Sequence, residues 1–270
     1  MAENAASQNT EDAHIGQPMR DPLVALGSSS AHLRRIVQTL GAGQFDAPAY
    51  PSEWTIADVL SHLGSGAVIL RRLFEDTLAG TETPPEFSQA VWDLWEQKPS
   101  VARAADALVA DQELTTRLGS LTSEERSAFR FVMGPINEDL AGFICLRLNE
   151  HVLHTWDIEV TIDPAAILST DATHVVIDRL ELVARFTGKA PEAERRLSVR
   201  TTGPRRDFTL ALGPQAVSLI PSGPGPVEPD LELPAEAFIR LVYGRLDPQH
   251  TPGRCGGEHL ETLRRVFPGP

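Results

Sequence analysis

The chain has 270 residues, enough for one large or two small domains, and 41% of them are apolar, as in an ordinary globular protein. A formal net charge of −13 argues against nucleic acid and anionic membrane surfaces as partners, since both need basic patches. No apolar run approaches the ~18–20 residues of a membrane span. Cys145 and Cys255 alone do not make a disulfide scaffold, which fits a reducing cytoplasm.

Residues 1–20 are polar and lack a basic start followed by an apolar core, so they read as a disordered tail rather than a signal peptide. Leu23–Leu40 carries Leu26, Leu33, Ile36, Val37 and Leu40 at helical spacing, with Gly41 and Gly43 ending the pattern. After a loop with two prolines, Thr55 followed by Asp58 resembles a capping box and opens a second helix. Its apolar face is Ile56, Val59, Leu60, Leu63, Ala67, Leu70 and Phe74. His62 lies roughly 120° from the centre of that face, on the shoulder of the helix. Residues 81–99 hold Trp92 and Trp95 and predict a short helix over the bundle; Val101–Leu118 predicts a third amphipathic helix, and Ser123–Phe131 a helical turn. Leu140–Ile162 then reads as one long helix that is apolar on nearly every side, which marks it as buried. Four main helices with such connections predict a helix bundle over residues 21–162, with a site between its helices.

From residue 163 to 270 the texture changes. Asp171–Thr187 reads as one helix, ended by Gly188. The runs RRLSVRTT, DFTLALG, QAVSLIP and PDLELP, separated by Gly- and Pro-rich turns, read as strands of an antiparallel sheet. Helices at Pro234–Tyr243 and Glu258–Phe267 close the chain, giving a smaller α+β half with helices on one side of the sheet.

The long helix carries one polar stripe: Arg147, Glu150, His154 and Asp157, three or four residues apart. Glu150 and His154 stand one turn apart, so a carboxylate oxygen and an imidazole nitrogen can reach one metal ion, given a third ligand from another segment. The same spacing also serves a plain Glu–His contact on a helix surface. His151 points roughly 100° away from Glu150 and reads as a neighbour, and His174, His250 and His259 read as surface residues.

The runs WTIADVLSHL, LRLNEHVLHTWDIEV and RLVYGRLDP…LETLRRVFPG, in that order, resemble the mycothiol-dependent maleylpyruvate isomerase family over about residues 20–268. The resemblance implies a DinB-like metal-binding four-helix bundle followed by a sterol-carrier-like α+β domain. It also implies a metal triad, which falls on His62, Glu150 and His154, and mycothiol as cosubstrate. Two imidazoles and a carboxylate suit a divalent metal, zinc by type, and leave at least one position open. A thiol arriving there loses its proton and becomes the nucleophile. The expected reaction is isomerisation of a maleylpyruvate-type substrate or a related thiol transfer. A zinc hydrolase using water, and a non-catalytic small-molecule carrier with a structural metal, are the alternatives. Asp157 and Asp58 are candidates to orient the histidines, although capping also accounts for Asp58. Arg147 is a candidate for a carboxylate of substrate or thiol, or for pairing with Glu150. Arg245, in the run YGRLDP, is the candidate that reaches the site from the second half. The expected setting is a cytoplasmic monomer with small-molecule partners and neither nucleic acid nor membrane.

Overall fold

The computed structural model describes residues 21–223, 228–253 and 255–269, so the segment read as a disordered tail lies outside the described residues. The first half is a bundle of α1 (Pro22–Thr39), α2 (Ile56–Ala79), α4 (Ser100–Gly119) and α6 (Leu140–Glu159), with α3 (Phe87–Glu96) packed on α2. Around the bundle, α1 touches α4 and α6, and α2 touches the same two.

Local chemistry sets the helix ends. Asp21 accepts from Leu23 N–H with Pro22 at the first helical position, and Asp139 accepts from Gly142 N–H. Thr55 and Asp58 form the predicted capping box, and Gly80 at φ 67° ends α2. Helices pack closely at Gly64, where a Cβ would come within 2.1 Å of the Trp95 ring and 2.9 Å of Ala107 Cα. α2, α3 and α4 therefore converge where α2 has no side chain. The far end is filled by Phe74, Phe129, Phe131 and Phe143, with ring centroids 4.9–5.9 Å apart.

Two predicted elements differ in detail. The turn at residues 123–131 is a short helix, α5 (Ser123–Ala128), followed by a hairpin of β1 (Phe131–Met133) and β2 (Ile136–Glu138). Gly134 at φ 56° with Pro135 after it supplies the tight turn, a signal too short to separate from a loop in the sequence. The single helix expected over 171–187 is split into α7 (Thr170–Val176) and α8 (Leu180–Thr187) by a 3₁₀ turn at Ile177–Arg179. At that turn Asp178 pairs with Arg206 and Arg179 with Glu138. α7 packs on α1 and α6 as well as on the later helix α9 (Ala235–Val242), so it touches both halves.

The sheet is mixed rather than antiparallel. Its order is β5 (Val217–Pro221), β4 (Arg206–Leu212), β3 (Arg195–Thr202), β6 (Leu231–Pro234), with β3 and β6 parallel. β6 returns after a connection from the opposite edge, and its direction is invisible to alternation alone. Alternate residues Leu197, Val199, Phe208, Leu210, Leu219 and Leu231 are buried on one face, which α8 and α9 cover. α10 (Glu258–Val266) closes the chain, and no helix among the described residues is long and apolar enough to cross a membrane.

Candidate metal centre

His62 projects from α2, and Glu150 and His154 project one turn apart from the adjacent α6. Glu150 Oε2 lies 3.2 Å from His62 Nε2 and 3.5 Å from His154 Nε2, and ligand atoms of all three lie within 4.8 Å of one another. Donors around a tetrahedral ion at ~2.0–2.2 Å lie roughly 3.3–3.6 Å apart. The two distances from Glu150 suit that geometry, so the donor set fits a divalent ion.

The three side chains differ in support. Asp157, fully buried, accepts from His154 Nδ1 at 2.8 Å. A carboxylate only accepts, so that nitrogen carries the proton and Nε2 faces the other ligands. Arg245 grips Asp157 in a fork, Nε to Oδ1 and Nη2 to Oδ2, each at 2.7 Å. Burial alone would raise the Asp157 carboxyl, but His154 and Arg245 hold it below its ordinary value. Burial likewise opposes protonation of His154, yet its hydrogen bonds to Asp157 and Glu150 prevail and raise its pKa. Glu150 is held well below the usual carboxylate range, because the two imidazoles outweigh its desolvation. A proton and an ion therefore compete for His154 Nε2.

Aromatic rings cover one flank. Trp54 stacks on His154 with centroids 5.9 Å apart and planes 11° from parallel, and tilts against His62 at 5.5 Å. Its loop is tied down by Tyr50, whose N–H donates to Asp157 O and whose hydroxyl donates to Asp247. Tyr243 lines two cavities. One, of about 520 Å³, is lined by Trp54, His154, Lys189, Tyr243 and Arg245. The other, of about 750 Å³, is lined by Asn149, Glu150, Arg185, Thr187, Val217 and Tyr243. Residues from both halves of the chain thus wall the two cavities, one fronted by His154 and the other by Glu150.

Not every predicted site residue joins them. Arg147 turns into the bundle and donates from Nη2 to Asp111 Oδ1 at 3.0 Å, with 2% of its surface exposed. A buried carboxylate needs a cation more than the solvent-facing Glu150 does, so Arg147 is drawn away from both Glu150 and any substrate. Asp58 serves its capping box and pairs with Arg103, and among the described residues no hydrogen bond or ion pair joins it to a histidine. His151 lies apart from the ligands, bonded to Ser29 at 2.8 Å, with Nε2 3.2 Å from Asp111 but off a good hydrogen-bond line. His250, expected at the surface, is part-buried against Tyr50 and Trp156. Trp54 and Tyr243 escaped the sequence reading although both stand in the runs quoted for it: a lone aromatic beside a ligand motif reads as packing until the fold is known. Asp111 left a fainter signal, an acid on an otherwise apolar helix face.

The family model described as "Mycothiol maleylpyruvate isomerase N-terminal domain" matches residues 26–159. Two similar solved structures are a mycothiol-dependent maleylpyruvate isomerase and its histidine-to-alanine mutant. Each is 16% identical, covers 85% of this chain and 90% of its own, and superposes with a TM-score of 0.60. At that identity the likeness speaks for the fold, and it spans both halves. No curated protein matches the chain by sequence.

Proposed function

Because the chain belongs to the mycothiol maleylpyruvate isomerase family through its helical half, we propose that it is a metal-dependent enzyme using a low-molecular-weight thiol as nucleophile. The reaction is cis–trans isomerisation of a maleylpyruvate-type substrate or a related thiol transfer, with mycothiol, named for its relatives, as cosubstrate. The observation that carries this reading is the convergence of His62, Glu150 and His154 at ligand spacing, with His154 and Glu150 each fronting a cavity walled by both halves.

Those three side chains would hold a divalent ion, zinc by ligand type. When bound, the ion supplies the Lewis acidity that deprotonates a thiol reaching it. The chain's own residues do the rest. Asp157 fixes the tautomer and plane of His154, and Arg245 fixes Asp157. Trp54 shields one flank from water. The paired cavities give a thiol and an electrophile separate approaches to one centre. Thiolate addition to a conjugated double bond forms a carbon–sulfur bond and leaves a carbon–carbon single bond free to rotate. Loss of the thiolate restores the double bond in the trans form.

Purified protein analysed for metal, then assayed with maleylpyruvate with and without mycothiol, tests the reading. Turnover that needs both metal and thiol is expected. Metal-dependent hydrolysis of test esters or amides without thiol would instead make the protein a hydrolase.

A further inference from the structure

Tyr243 fronts both cavities. It follows the last turn of α9, and its position is closely fixed. Its carbonyl accepts from Arg245 Nη1 at 2.9 Å, so the arginine that holds Asp157 also holds the Tyr243 main chain. Gly244, at φ 69°, lets the chain turn between them, and a Cβ there would come within 2.0 Å of Gly269 Cα.

The neighbours of the phenol point to a ligand. The Asn149 side chain is within hydrogen-bonding reach of the phenol oxygen, and Asn149 Oδ1 is buried with no hydrogen-bond partner among the described residues. An orphan buried acceptor on a cavity wall calls for a donor from whatever fills the cavity. Glu150, a member of the ligand set, is close enough for its charge to act on the phenol. Some of the other donors on the walls are already engaged. Arg245 spends Nε and Nη2 on Asp157 and Nη1 on Tyr243. The Thr187 hydroxyl, also on both walls, donates to backbone carbonyls.

We propose that Tyr243 is a catalytic residue whose hydroxyl donates a hydrogen bond to the oxyanion formed on an α,β-unsaturated carbonyl substrate when a thiolate adds to it. This rests on the thiol-nucleophile reading above. As the carbon–sulfur bond forms, the π electrons of the double bond move to the carbonyl oxygen, which becomes an enolate. The phenol stabilises that charge without giving up its proton. After rotation the electrons return, the carbon–sulfur bond breaks and the thiolate leaves. A phenol is protonated at neutral pH.

Tyr243→Phe keeps the ring and removes the donor. With mycothiol and maleylpyruvate, kcat should fall about 100-fold, the size of one lost oxyanion donor, with KM for the thiol unchanged. Bound metal and thermal midpoint should equal those of the parent. Oxalate, a planar dianion resembling an enolate, should bind the variant about tenfold more weakly by calorimetry, roughly one lost hydrogen bond to a charged group. Unchanged kcat and oxalate affinity would overturn the proposal, and so would a loss of activity accompanied by lost metal or lower stability. Absence of thiol-dependent turnover in the parent protein would sink the enzymatic reading itself, and the proposal with it.

Discussion

Asp157 and Arg245 meet in a buried fork of two 2.7 Å hydrogen bonds, and the same Asp157 oxygen that receives Arg245 Nη2 also receives His154 Nδ1. One carboxylate therefore joins the second half of the chain to the candidate metal centre. Replacing Arg245 with Ala leaves Asp157 buried and uncompensated, which should cost about 3–5 kcal/mol of stability in urea unfolding. It should also weaken zinc binding about 10–100-fold in chelator competition, the usual loss when the partner orienting a histidine is removed. Arg245→Lys restores charge but not the fork, so it should recover part of the stability and little of the affinity. Unchanged zinc affinity in Arg245→Ala would mean that the fork only fastens the two halves together.

The ligand set and Arg147 should separate cleanly by metal content. His62→Ala and His154→Ala each leave two ligands, too few to hold zinc firmly, and should purify with little metal and no thiol-dependent turnover. Arg147→Ala should keep its metal, since Arg147 faces Asp111 rather than the ligands. Its stability should fall by about 3–5 kcal/mol, because the Asp111 charge loses its partner inside the bundle. Metal loss in Arg147→Ala with unchanged stability would show that the stripe read from the sequence acts as one unit.

Much of this architecture was legible before the fold was known. The bundle helices announce themselves through apolar spacing and through caps such as Thr55/Asp58, because both signals are local. His62, Glu150 and His154 could be grouped because Glu150 and His154 share one helix face and the resemblance supplied His62. Sequence spacing misplaced Arg147, since periodicity puts a residue on a face but does not say which neighbour competes for it. That neighbour, Asp111, lies 36 residues away on another helix. The parallel pairing of β6 and the shared wall at Tyr243 depend likewise on contacts distant in sequence.

Acid should expose the Asp111 cluster. Burial would raise the Asp111 pKa, but His151 and Arg147 hold it well below the ordinary value. The unfolded chain, with a carboxyl pKa near ~3.9, therefore binds the proton first as pH falls. This contribution to stability is complete above the unfolded value and is lost as pH drops through the depressed folded value. Urea midpoints of metal-free protein between about pH 6 and pH 2 should fall steeply for the parent. The fall should be shallower for Asp111→Asn, which lacks the group and starts lower. Parallel curves would remove Asp111 from the account of acid sensitivity.

Removing the metal should leave the fold standing. His62 and Glu150 are partly exposed, and none of the three ligands belongs to the apolar seam of Leu26, Leu33, Leu60, Leu63, Leu114 and Leu148, each at most 1% exposed. A structural zinc behaves otherwise, because its binding free energy is folding free energy. After chelation His154 still has Asp157 on Nδ1, and Glu150 still faces two imidazoles. No ligand is then buried without a partner, and the usual large cost of an orphan charge does not arise. Far-ultraviolet circular dichroism should keep its helical signal, thiol-dependent turnover should disappear, and zinc should restore it. Collapse of the helical signal on chelation would identify the metal as part of the fold and would remove the open coordination position on which the thiol chemistry depends.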